Sequence, residues 1–155
     1  MARLKETLGR QVTRPRAFIL GHGLWNNLDR RQSAAWLDAV TRPIRLALRE
    51  DRRWRSGSRA RDDGGQRQLP ALLVTPNAAG EKKPDEWLVS QGNKALVGFE
   101  RAMAAEAAAR RLDHLGTWNM SIQATLYDGV HMDLRGNILK AMMVLNWLDY
   151  LEPFP

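Results

Sequence analysis

The chain has no cysteine among its 155 residues. That excludes a disulfide scaffold, a cysteine zinc site and a thiol nucleophile, without fixing the compartment. It also lacks a long apolar run. No stretch approaches the roughly 18 residues of a membrane span, and the first 16 residues, MARLKETLGRQVTRPR, contain no apolar core of signal-peptide length. The chain therefore reads as soluble. With 44% hydrophobic residues it is expected to be globular, and its length suits one domain with a real core.

Charge is unevenly spread. Residues 1 to 70 hold 16 Lys/Arg against 7 Asp/Glu, and residues 71 to 155 hold 8 against 10, so the stated net +7 divides into +9 and −2. A basic half can attract nucleic acid or an anionic membrane surface. No nucleic-acid motif accompanies the arginines, so a solvated surface is the expected reading and nucleic acid is disfavoured as a partner.

The pattern of elements points to an α/β fold. Residues 17 to 21, AFILG, are a short apolar run ending in glycine and suit a buried strand. A helix is expected from Ser33, with Ser33 as N-cap, Trp36, Leu37 and Val40 on one face, and an interruption or restart at Pro43. Residues 51 to 68, rich in Arg, Gly and Asp, read as a flexible surface loop carrying Trp54. LPALLV, residues 69 to 74, is the second expected strand. The longest helix is expected from Asn93 to a glycine stop at Gly116, with His114 in its last turn. WNMSIQATLY, residues 118 to 127, is the third expected strand. From Asp133 the last helix places Leu134, Ile138, Ala141, Leu145 and Leu148 in steps of four and three. Strands alternating with helices imply parallel strands joined by crossovers.

One short segment carries chemistry. In YDGVH, Asp128 stands three residues before His131 with Gly129 between them. Such a turn lets the carboxylate reach the imidazole Nδ1–H, fix the tautomer and stabilise the imidazolium formed when Nε2 takes a proton. Gly129 eases the turn, having no Cβ. Loops at the carboxyl ends of parallel strands hold the sites of open α/β sheets. His22, Trp25, Asn26 and Asn27, after the first strand, should open on the same rim, where an asparagine amide can donate to an oxyanion. The competing reading is structural: Asp128 caps a turn and His131 is a polar residue at a helix start. Three scattered histidines do not make a metal site, and His22, Asp128 and His131 would have to converge on one.

The two segments, FILGHGLWNN and YDGVHMDLRGNILKAMMVLNWL, together resemble the SGNH/GDSL-type hydrolase superfamily, and within it the PC-esterase branch of polysaccharide O-acetyltransferases and acyl esterases. The resemblance covers about residues 17 to 151, the C-terminal part of such a domain. It implies a three-layer, flavodoxin-like parallel sheet and Ser-His-Asp chemistry on acylated carbohydrate, without metal or organic cofactor. It makes Asp128 and His131 the acid and base of the triad, Asn26 or Asn27 the oxyanion donor, and Gly23 and Trp25 the residues shaping that loop.

The family's nucleophile is a serine in Gly-Asp-Ser after the first, central strand. Here 16 residues precede the first expected strand and contain no serine, so residues 1 to 16 read as a basic segment and residues 17 to 155 as a partial domain. Ser33, Ser56, Ser58, Ser90 and Ser121 have no Gly-Asp before them, and Ser90 is the least implausible substitute. The expectation is a truncated or degenerate esterase-like chain, inactive alone, whose exposed sheet edge invites a second chain to complete it. The alternative is a non-catalytic binding or scaffold protein using its arginine-rich surface.

Overall fold

The computed structural model describes residues 17–49 and 69–151. The basic segment, the arginine-rich loop with Trp54, Ser56 and Ser58, and the last four residues lie outside them. Strand β1 (Phe18–Gly21) is followed by a 3-10 turn (Leu24–Asn26) and helix α1 (Arg30–Arg49). Strand β2 (Ala71–Val74), helices α2 (Asp85–Gln91) and α3 (Asn93–Ala109), strand β3 (Asp113–Leu115), a short helix α4 (Trp118–Ser121) and helix α5 (Leu134–Leu151) complete the order. The sheet is parallel throughout, in the order β1-β2-β3, with Leu20 opposite Leu73 and Leu73 opposite His114.

The mixed α/β expectation holds, and its cause is visible in the burial. Ala71 and Leu73 point to one face of β2, where they join Leu37, Ile44 and Leu48 of α1 and Leu96, Phe99, Met103 and Ala107 of α3 in one core. Leu72 points the other way and is also buried. On that second face α5 reaches β3, where the indole Nε1–H of Trp147 donates to Asp113 Oδ2 at 2.7 Å. Burial on both faces explains why LPALLV shows no alternation of polar and apolar residues.

Several expectations are corrected. The third strand is not residues 118 to 127 but Asp113–Leu115, and residues 118 to 121 are helical. His114 therefore sits in a strand, not in a helix end, and its Nε2 lies 3.3 Å from Thr75 Oγ1. Helix α3 stops at Ala109 rather than at Gly116, because Arg111 takes the left-handed conformation (φ 56°) and Leu112 N–H donates back to the Ala107 carbonyl. That is the capping geometry usually given to glycine. Arg110, bonded to Asp38 on α1 and to Glu106, fixes the exit. Helix α1, at 20 residues, is the longest element among the described residues and continues through Pro43. The proline removes one intrahelical hydrogen bond, while Leu37, Val40, Ile44 and Leu48 around it hold the helix by burial. Its cap is Asp29, whose Oδ1 accepts the Gln32 N–H, and not Ser33, which lies one turn inside and donates to the Asp29 carbonyl.

The two half-buried histidines give the fold a pH dependence. His22 stacks on Trp36 with ring centroids 4.3 Å apart, and burial holds its pKa below the ordinary value. Burial also lowers His114, opposed by the nearby Glu100 carboxylate. A histidine whose folded pKa is depressed stabilises the fold above its unfolded value of about 6.5 and loses that contribution as pH falls through the folded value. Thermal melts should therefore show a lower midpoint at about pH 5 than at about pH 7.5. Replacing both residues with glutamine should flatten that dependence, and an unchanged slope would refute the assignment.

Candidate functional site

All three strands deliver their carboxyl ends to one rim. His22 and Gly23 follow β1, Thr75 to Asn77 follow β2, and Gly116 and Thr117 follow β3. The Asp128–His131 loop does not continue β3, since α4 and a run of turns intervene. It nevertheless sits on this rim, because Asn77 Nδ2 donates to the Val130 carbonyl at 3.0 Å and Gly80 N–H donates to the Gly129 carbonyl at 3.0 Å. Lys140 on α5 braces Asn77 from the other side, its Nζ donating to Oδ1 at 2.8 Å.

Within the loop the expected pair forms. Asp128 Oδ2 lies 2.6 Å from His131 Nδ1. Asp128 Oδ1 accepts the backbone N–H groups of Val130 at 2.9 Å and His131 at 2.7 Å. One carboxylate thus both contacts the imidazole and caps the turn, with one oxygen for each. The His131 N–H, the imidazole and the Val130 N–H hold the Asp128 carboxyl well below its ordinary range. An ionised acceptor at that distance calls for Nδ1 as the donating nitrogen of the ring. His131 is exposed and stacks against Tyr127 with centroids 6.0 Å apart.

The loop after β1 is built differently from the expectation. Gly23 is buried at φ 141°, where a Cβ would meet Phe99 and Pro76 at 2.8 Å. Trp25 is fully exposed. Asn26 donates both amide hydrogens inward, to the Asp29 carbonyl at 3.1 Å and to Ser33 Oγ at 2.9 Å, while its Oδ1 is buried without a partner. Asn27, in the left-handed conformation, accepts from Gln91 Nε2 at 3.2 Å through Oδ1. Among the described residues its own amide N–H groups have no partner, so Asn27 rather than Asn26 keeps a donor to offer. No hydrogen bond joins either asparagine directly to Asp128 or His131.

The two loops are connected through residues the sequence did not single out. Gln91 Nε2 also donates to the Leu24 carbonyl, and its Oε1 accepts from Lys83 Nζ at 3.1 Å. Lys83 is buried, which lowers its pKa, and its backbone N stands against Gly129. Asn77, Lys83 and Gln91 lie in a stretch without a recognisable motif, and their one signal is polarity just after a buried strand.

No described serine completes a triad. The hydroxyl of Ser33 donates to the Asp29 carbonyl, and that of Ser121 donates to the Thr117 carbonyl and accepts from Ala78 N–H. Both are fully buried, and Ser121 lies in α4 rather than in a strand. Ser90 lies in α2 and makes no hydrogen bond to His131. Among the described residues no three histidine, aspartate or glutamate side chains converge as a metal site would require, and no helix is long and apolar enough to cross a membrane. No protein-family model matches the chain, and no curated protein or solved structure is significantly similar to it.

Proposed function

We propose that the chain is a truncated or degenerate SGNH-type domain, of the PC-esterase kind, that contributes the acid and base of acyl-ester hydrolysis or O-acetyl transfer on acylated glycans. The observation that carries it is the 2.6 Å contact between Asp128 and His131 on the carboxyl rim of a parallel sheet. In this reading His131 Nε2 takes the proton of an attacking serine hydroxyl and later returns it to the leaving oxygen, while Asp128 holds the ring and stabilises the imidazolium. In this reading the nucleophilic serine is absent from this chain and is supplied by another. The parallel strands joined through helices support a flavodoxin-like arrangement, and β1, at the end of the strand order among the described residues, leaves an edge at which a further strand can pair.

An NMR titration tests it. An O-acetylated oligosaccharide should perturb the amide resonances of Gly129 to His131 and of Asn27, and the deacetylated sugar should perturb them less. Fluorophosphonate should modify no serine of the isolated chain. Perturbations confined to other residues, equal for both sugars, would remove the esterase-like reading.

The inward-facing hydroxyls of Ser33 and Ser121 favour a second reading, a non-catalytic binding or scaffold protein using its arginine-rich surface. It predicts binding to anionic glycans that weakens as salt rises.

A further inference from the structure

Helix α5 is apolar on the side that faces away from the domain. Gly136 is its buried residue, and Lys140 and Trp147 make its hydrogen bonds to elements distant in sequence. At about 100° per residue, these three share one side. Leu134, Ile138, Met142 and Leu145 fall on a row well over 90° further round. All four are at least half exposed, at 74%, 51%, 54% and 61%. A row of this kind on a helix surface is the usual mark of an interaction face.

We infer that α5 pairs with the α5 of a second copy, antiparallel, about a two-fold axis near Met142. Charge selects the arrangement. Arg135 and Asp149 are exposed, flank the apolar row at opposite ends of the helix, and make no ion pair among the described residues. Antiparallel pairing about residue 142 sets each Arg135 beside the partner's Asp149, whereas parallel pairing would oppose like charges. Ile138 of one copy then lies beside the partner's Leu145, and the two Met142 side chains meet at the axis. The four side chains offer roughly 400 Å² of apolar area per copy, close to the apolar share of a half-interface of about 800 Å². A two-fold contact of this kind is self-limiting, which an open sheet edge is not. The inference does not rest on the ester chemistry and leaves the β1 edge uncovered.

Sedimentation equilibrium on the full chain from low micromolar to about 100 µM tests it, with dimer expected across the upper part of that range. Ile138→Glu with Leu145→Glu should give a monomer of unchanged circular dichroism. Arg135→Glu should weaken the dimer about tenfold or less, as suits a rim charge, and adding Asp149→Arg should restore it. A wild-type monomer at all concentrations would overturn the inference. So would a dimer that survives the double glutamate variant, or one that does not respond to charge exchange.

Discussion

Gly129→Ala is expected to detach the Asp128–His131 loop from the sheet rim. Gly129 has φ 84°, and a Cβ there would stand 2.1 Å from Lys83 N and 2.6 Å from the Lys82 carbonyl carbon. Both neighbours are backbone, so neither can rotate away as a side-chain tip would. The left-handed conformation alone costs an alanine about 1–2 kcal/mol. The clash then forces the two strands of chain apart, breaking the Gly80 to Gly129 bond and pulling Val130 off Asn77. A total above about 3 kcal/mol follows, in the range reserved for strained or overpacked sites. In a domain this size that lowers the melting midpoint by roughly 10 °C. The amide resonances of Val130 and His131, whose N–H groups bond to Asp128, should shift with the loosened loop. Gly21→Ala is the matched control, because a Cβ there meets nothing within 4 Å. If the two variants melt together, backbone packing does not hold the candidate site.

That dependence also explains what the sequence could and could not convey. The DGVH turn was legible because its geometry is local: carboxylate, amides and imidazole all lie within four residues. Strands β1 and β2 were legible as apolar runs between turn residues. The third strand was not, since Asp113, His114 and Leu115 are each only half buried and carry no apolar run. Its place in the sheet comes from the ladder to β2 and from Thr75 and Trp147, all distant in sequence. Asn26 shows a different limit at the site. Its residue type suits an oxyanion donor, yet the turn into α1 spends its amide locally on the Asp29 carbonyl and on Ser33, which residue type alone does not reveal. The leucine spacing of α5 correctly announced a helix and gave no sign that its regular row would face solvent.

Phe99→Ala is expected to cost the most of any single truncation in the core. Phe99 is the largest side chain with almost no exposure, and it lies among Leu37, Ile44, Leu73 and Met103 between α1 and the sheet. Removing a buried phenylalanine costs about 3–5 kcal/mol through lost transfer energy and the cavity left behind. Total stability is about 5–15 kcal/mol, so urea denaturation should show the midpoint falling by a third or more. The damage should also reach the rim, because the Phe99 ring, together with Pro76, packs against Gly23. Without it the bond from Leu28 N–H to the Gly23 carbonyl loses its backing, and with it the turn that presents Asn27. Hydrogen exchange at Leu28 should accelerate more than exchange at Asp133, whose amide bonds to Thr125 on the far side of the rim. Val89→Ala, on an exposed face of α2, should change stability by no more than about 0.5 kcal/mol. Equal acceleration at Leu28 and Asp133 would mean that the core variant loosens the domain as a whole, and that Phe99 has no particular hold on the loop after β1.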